Sequence, residues 1–287
     1  MTVTWGPRPM LCVLGPTIGL HDGRPLELGS TLGRRLLAYL ALRGGEHPTR
    51  DEVLDVVWPD GPPRTAPKSL ANLVHRARAQ LGDEVVVWHG SGYRLDPAAL
   101  RTDHDEFERA AHRAAELLAA GHAAAALQDA QRALTLWRGT PWSELDHVDD
   151  AIFDRERLSE LHTGLQETVA ECTLAIGCTH ESVAVAQELT CSHPFRERAW
   201  WVLALALHRD RRRRHSLATL QQARSTLAEV GLDPGIELIE LERRVLADDP
   251  GLLCDSVFGW HQELTPLPAV SDPEVARGER LAAALLW

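Results

Sequence analysis

Lysine is almost absent from this 287-residue sequence: Lys68 is the single one among 30 Lys and Arg residues. The arginine bias points to a GC-rich genome and carries no mechanism. No G-x-x-x-x-G-K surrounds that lysine, so a phosphate-cradling P-loop is excluded, and neither a G-x-S-x-G elbow nor a glycine-rich dinucleotide fingerprint occurs. Nothing asks for catalysis. Cysteine is equally sparse. The five present (Cys12, Cys172, Cys178, Cys191 and Cys254) are odd in number and form no C-x-x-C pair, which fits reduced thiols better than a disulfide framework or a zinc site. No run of about 18 apolar residues occurs, and the first thirty residues lack a basic stretch followed by an apolar h-region. The expectation is a soluble cytoplasmic protein with no metal, no cofactor and no membrane partner.

What is present suits a packed globular chain. Hydrophobic residues make up 44% and charged residues 25%, close to the soluble average, and the length allows two domains. The net charge of -11 argues against a nucleic-acid partner until its distribution is examined. Residues 1–100 hold 11 basic and 10 acidic residues, whereas residues 101–287 hold 19 and 31. The acid lies in the second part. Between Arg64 and Leu81 there are Arg64, Lys68, Arg76 and Arg78 and no acidic residue at all.

After a leader over 1–8, residues 9–28 read as extended pieces separated by Gly15-Pro16 and by His21-Asp22-Gly23, the latter a hairpin signal. Ser30 caps a first helix with Leu32, Leu36, Leu37 and Leu40 on one stripe, ending near Gly44-Gly45. Thr49 with Glu52 forms a capping box for a second helix that stops at Pro59. Thr65 begins a third, in which Pro67 is tolerable because the first turn has no intrahelical N–H bond to lose. Then come EVVVW, the turn HGSG, and YRL, a short hairpin.

The third helix is the informative one. At about 100° per residue, Leu70, Leu73, Val74, Ala77 and Leu81 share one face, and Lys68, Asn72, His75, Arg76 and Ala79 lie opposite. A helix-turn-helix followed by a two-stranded wing places such a helix in a major groove and the wing beside a phosphate backbone. Asn72 matches an adenine edge and Lys68 a guanine. Arg64, Arg76 and Arg78 suit phosphates, and His75 suits either role. In the wing, His89, Ser91 and Arg94 reach phosphate or minor groove, while Tyr93 and Trp88 read as packing residues. Ser69 completes the candidate DNA-binding set. Dimers or head-to-tail pairs would set two such helices about 10–11 base pairs apart.

From Asp103 to about Pro250 the pattern is helical throughout, over 103–120, 122–137, 149–176, 180–192, 195–209, 214–230 and 234–247. LAIGCTHESVAVAQEL and LHRDRRRRHSLATLQQA align at an offset of 34, the tetratricopeptide period, which places Arg211 under Gly177. A third pair around Gly121 sits 56 residues before Gly177. Trp200-Trp201 is expected to point half to core and half to a groove, and Trp137 and Trp142 to plug helix junctions. Arg211 to Arg214 read as a solvated corner, with a partner's acidic surface or nucleic acid as the rival uses. Asp103, His104, Asp105 and Glu106 favour an N-cap at a helix start over a metal site. Residues 251–287 read as a linker and a short helix capped by Asp272 with Pro273 first.

The run RRLLAYLALRGGEHPTRDEVLDVVWPDGPPRTAPKSLANLVHRARAQLGDEVVVWHGSGYRL resembles the OmpR-type winged-helix domain of the Streptomyces antibiotic regulatory protein (SARP) family. The family's W-x-x-x-P-P-x-x-A is matched by Trp58, Pro62, Pro63 and Ala66, and its L-R-x-x-L-G by Ala77-Arg78 through Leu81-Gly82. The wing ending G-Y-x-L is matched by Gly92 to Leu95. LWRGTPWSEL, HPFRERAW and LAEVGLDPGIELIELERRVL are similar to the bacterial transcriptional activation domain that follows in that family. The resemblance spans residues 9–250 and implies a mostly α protein. Its N-terminal OmpR-like winged helix-turn-helix (α+β), over 9–100, precedes an all-α tetratricopeptide-like domain over 101–250, with a tail over 251–287. It also implies a transcriptional activator of an antibiotic biosynthetic cluster, binding double-stranded DNA at direct repeats near promoters as a homo-dimer, and contacting RNA polymerase and its sigma factor. Arg211 stands where the family commonly has glycine, Leu220 where an aromatic is frequent, and Pro67 is unusual at the start of the recognition helix. Two rivals remain from the residues: a tetratricopeptide-type adaptor that does not bind DNA, or the front part of a larger regulator whose next domain begins near residue 260.

Overall fold

The computed structural model describes residues 8–253. Cys254 and the proposed helix after Asp272 lie outside them. Strands β1 (Met10–Cys12), β2 (Ile18–His21) and β3 (Arg24–Leu26) form an antiparallel meander, with Met10 opposite Leu20 and His21 opposite Arg24. Asp22 and Gly23 take φ of 48° and 75°, the left-handed pair that a two-residue hairpin turn needs. Helices α1 (Thr31–Leu42), α2 (Arg50–Val57) and α3 (Ala66–Leu81) follow, then a wing of β4 (Val86–His89) and β5 (Gly92–Leu95). A short strand β6 (Arg101–Thr102) returns to pair parallel with β1, completing a sheet of order β3-β2-β1-β6. Two residues of β6 carry no periodicity, so this strand has no signature of its own in the sequence.

The helical part begins at α4 (Asp103–Ala119) and α5 (Ala123–Leu134) and continues with α6 (Asp149–Ala175) and α7 (Thr179–Ser192). Helices α8 (Glu197–Arg209), α9 (Arg213–Glu229) and α10 (Ile236–Leu246) end in a 3-10 turn over Pro250–Leu253. The expected boundaries hold to within three residues, the largest gap being at α5. There Leu136 and Trp137 leave the helix, Leu136 buried and Trp137 half-buried against the Phe107 ring at 5.6 Å.

The described residues divide into two compact units, 8–107 with Leu136–Ser159, and Glu108–Thr135 with 160–253. In the first, the LWRGTPWSEL segment is stitched to the end of β1 through its main chain. Arg138 N–H donates to Leu14 O (2.8 Å) and Trp142 N–H to Val13 O (2.9 Å). Trp142 is fully buried and its Nε1 donates to Asp154 Oδ2 at 2.8 Å, the junction-plugging role expected of it. Glu144 accepts from the Thr17 amide and hydroxyl, and its own carbonyl accepts from Arg35 Nε.

Asp103 corrects the N-cap expectation. Its buried carboxylate accepts from Val13 N (2.7 Å) and Leu14 N (3.2 Å) and lies 3.3 Å from Arg138 Nη2, while the cap of α4 is Thr102 Oγ1, which accepts from Asp105 N at 3.1 Å. A threonine one residue earlier already satisfies the first turn, which frees the aspartate for the strand end.

In the second unit the 34-residue period is visible in bonds. Ser182 Oγ donates to Ala170 O (2.9 Å) and Ser216 Oγ to Ala204 O (2.7 Å), each pair displaced by one repeat from the other. The turns repeat as well: Cys178 N–H reaches Thr173 O and Arg212 N–H reaches Leu207 O, the six-to-one bond of a Schellman end. Trp200 and Trp201 are both buried, at 4% and 5% exposure, and Trp200 alone of the two lines a groove, as the expected split between core and groove requires. Every residue from Ala199 to His208 is buried, because α7, α9, α10 and the 3-10 turn all pack on α8.

Candidate nucleic-acid interface

Helix α3 carries the face the periodicity predicts. Leu70, Leu73, Val74, Ala77 and Leu81 are buried against α1, α2 and β4, while Lys68, Asn72, His75 and Arg76 are exposed. Pro67 occupies the first turn, where Thr65 offers no side-chain cap. The preceding α2 is held by the expected capping box, Thr49 N–H donating to Glu52 Oε2 at 2.7 Å and Glu52 N–H to Thr49 Oγ1 at 3.3 Å. Between them, residues 58–65 cross in a loop whose Ala66 N–H bonds Pro63 O, and Arg64 is exposed there. The structure thus brings Arg64, Lys68, Asn72, His75 and Arg76 to the outside of one helix and its leading loop, with Ser69 half-buried beside them.

Arg78 is differently placed. It is half-buried and its Nε donates to Val86 O at 2.8 Å, so it ties the end of α3 to the first wing strand as well as offering cationic nitrogens. The wing itself is anchored by a close approach of main chain. A Cβ on Gly92 would meet Pro48 O at 1.8 Å, and here Thr49 bridges Gly92 while Arg50 N–H donates to Ser91 O at 3.3 Å. Only glycine fits. His89 and Ser91 are exposed on the wing turn, and the His89 ring stacks on His47 with centroids 4.2 Å apart. Desolvation, with the charges of His89 and Arg94, holds the His47 imidazole below the ordinary histidine value. Arg94 is half-buried with its Nε enclosed and lacking a hydrogen-bond partner.

Two features were not legible beforehand. Trp88, expected to pack, is 51% exposed, with its ring edge-on to Tyr93 at 4.8 Å. Val86 and Leu95 on the same face of the hairpin reach the core, but Trp88 and Tyr93 lie two residues further out, beyond it. His47 joins the wing across 42 positions of chain, and neither residue has a local pattern that announces the stack. The arginine corner resolves into separate tasks: Arg213 donates to Val245 O (3.0 Å) and Leu246 O (2.6 Å), closing the C-terminus of α10, while Arg211, Arg212 and Arg214 are exposed. Among the described residues no group of three or more His, Cys, Asp and Glu could hold a metal ion, and no helix is long and apolar enough to cross a membrane.

Residues 102–246 match the family described as the bacterial transcriptional activator domain. The chain is 36% identical over 249 residues to the regulatory protein AfsR of Streptomyces coelicolor, a match that covers 84% of this chain and 24% of that protein. It therefore spans about a quarter of that relative. The regulatory protein DnrI of Streptomyces peucetius is 27% identical over 252 residues, covering 84% of this chain and 93% of DnrI. Among solved structures, Mycobacterium tuberculosis EmbR in complex with a low-affinity phosphopeptide shares the fold at a TM-score of 0.74 and 24% identity, over 97% of this chain and 70% of that one. The names denote regulators and not enzymes. With that match over half its length, and with SARP-type regulators as its relatives, the chain belongs to the bacterial transcriptional activator domain family, as a SARP-type member.

Proposed function

We propose that this chain is a sequence-specific DNA-binding transcriptional activator, with residues 9–100 as the DNA-binding domain and 101–250 as the activation domain. Its targets are direct repeats upstream of promoters in a secondary-metabolite cluster, bound as a homo-dimer, and its further partners are RNA polymerase and a sigma factor. The site of action is the nucleoid in the cytoplasm. The observation that carries the reading is α3: a helix whose leucines are wholly used by the core and whose outer face offers Lys68, Asn72, His75 and Arg76 with no carboxylate. Asn72 and Lys68 read base edges, with Ser69 beside them. Arg64, Arg76 and Arg78 meet the backbone, His89, Ser91 and Arg94 meet phosphate or minor groove, and His75 serves either base or backbone.

The test is fluorescence anisotropy of the purified chain on fragments from upstream of its neighbouring genes, at several salt concentrations. Affinity should fall with a log–log slope near -0.9 for each phosphate neutralised. A chain that ignores such fragments even in dilute buffer is not a DNA-binding activator, and the adaptor reading takes its place.

A further inference from the structure

The second unit contains a groove of about 410 Å³ that DNA binding leaves without a use. Its floor is apolar, built by Trp200, Leu203 and Leu207 of α8 at helical spacing. One wall is α7 and the other α9, and each presents an exposed glutamine, Gln187 and Gln222. Arg212 and His215, both exposed, complete the lining at the start of α9. No aspartate or glutamate lines it, although residues 101–287 carry 31 acidic residues against 19 basic ones. The nearest carboxylate to Arg212, Asp210, stands 3.7 Å away with both side chains at least 40% exposed, a pair that water screens and that leaves the guanidinium able to take another partner.

We infer that this groove receives an extended acidic-apolar peptide segment from a protein partner. Carboxylates of the segment lie toward Arg212 and His215, and its apolar side chains lie on Trp200, Leu203 and Leu207. An extended main chain fits this groove better than a helix. A helix satisfies its own amides, whereas an extended segment needs donors and acceptors at its flanks, and a glutamine on each wall supplies both. The exposed walls leave the groove open along its side, unlike the enclosed pockets that bury most of a small ligand.

Cys191 also lines the groove and is exposed, so it can report occupancy. Cys12 and Cys172 stay silent, since burial first, and neighbouring acidic groups second, push their thiols up to about 12. The full chain carrying Cys178→Ser and Cys254→Ser is labelled at Cys191 with an environment-sensitive fluorophore. It is titrated with two pools of ten-residue peptides matched in Leu and Phe, one with Asp and the other with Lys at the remaining positions. The Asp pool should give a saturable change and the Lys pool none. Arg212→Glu should weaken the response at least tenfold, and Ala218→Trp, at an exposed lining position of α9, should block it with unchanged helicity. Equal responses from both pools, no response from either, or an unaffected Ala218→Trp would overturn the proposal. So would sedimentation showing a dimer that Ala218→Trp dissolves, because the occupant would then be a second copy of the chain. Promoter binding of the same variants is measured alongside: its absence with the groove response intact would sink only the DNA-binding reading.

Discussion

Arg211 holds φ at 60°, in the turn that Gly177 forms at 83° one repeat earlier. A side chain in the left-handed region costs roughly 1–2 kcal/mol, and glycine gives part of that back by its greater freedom in the unfolded chain. Arg211→Gly should therefore raise the unfolding free energy by about 1 kcal/mol, seen as a higher Tm; a lower Tm would mean that the arginine contributes a compensating contact. Gly92 is the opposite case. With Pro48 O 1.8 Å from where a Cβ would sit, Gly92→Ala must push the wing away from the start of α2. The cost should be about 1–3 kcal/mol of stability, as for other overpacked sites, with weakened binding to all DNA sequences alike. On α3, Asn72→Ala should instead lose about 1–3 kcal/mol on the preferred operator and little elsewhere. An unchanged sequence preference in a binding-site selection would remove Asn72 from the base-reading set.

At the scale of elements, what could be foreseen was local. Ser30, Thr49 with Glu52, and the leucine spacing of α3 each act within a turn or two, so the helix-turn-helix and its outer face were readable from the chain. The 34-residue offset was readable too, because the same bond recurs at Ser182 and Ser216. What escaped depends on partners distant in sequence: β6 against β1, Gly92 against Pro48, and Asp103 against the amides of Val13 and Leu14. The acid pair of α6 belongs here as well. Glu167 and Glu171 are fully buried and are met by Arg196 and Arg198 of the HPFRERAW segment, Arg196 by two bonds of 2.8 and 2.9 Å to Glu167. A pair of arginines beside two tryptophans looks like a surface helix until its neighbours are known. Removing Arg196 takes both short bonds from the buried Glu167 and leaves it only Arg198 Nη1 at 3.7 Å, so Arg196→Ala should cost about 1–3 kcal/mol, measured by urea unfolding of the full chain. A cost below 1 kcal/mol would show that Glu167 finds water or another donor at once.

For the molecule as a whole, acid should be destabilising at a pH set by histidine and not by carboxylates. Burial holds His162 and His208 below the ordinary value of 6.5, with like charge from His193 adding to the effect at His162. At His208 the surrounding arginines push the same way and Asp248 opposes them. His208 is 5% exposed and its Nδ1 has no hydrogen-bond partner, so an added proton there would have nowhere to bond. Below pH 6.5 the unfolded chain takes up protons on these rings that the folded chain refuses. The folded state is therefore fully stable above that pH and loses stability as the pH falls through it. Asp103 has the reverse sign: burial raises its carboxyl above the ordinary 3.8, so the folded chain binds that proton more readily and gains stability as the pH falls from the raised value toward 3.8, opposing the histidines wherever the two ranges overlap. Thermal unfolding between pH 8 and pH 5 should thus show Tm falling on the acid side, and His208→Leu should flatten the fall by removing one of the refused protons and one orphaned nitrogen. Parallel curves for the variant and the parent would mean that His208 takes its proton in the folded state after all, through a rearrangement at the end of α8 that brings Asp248 to it.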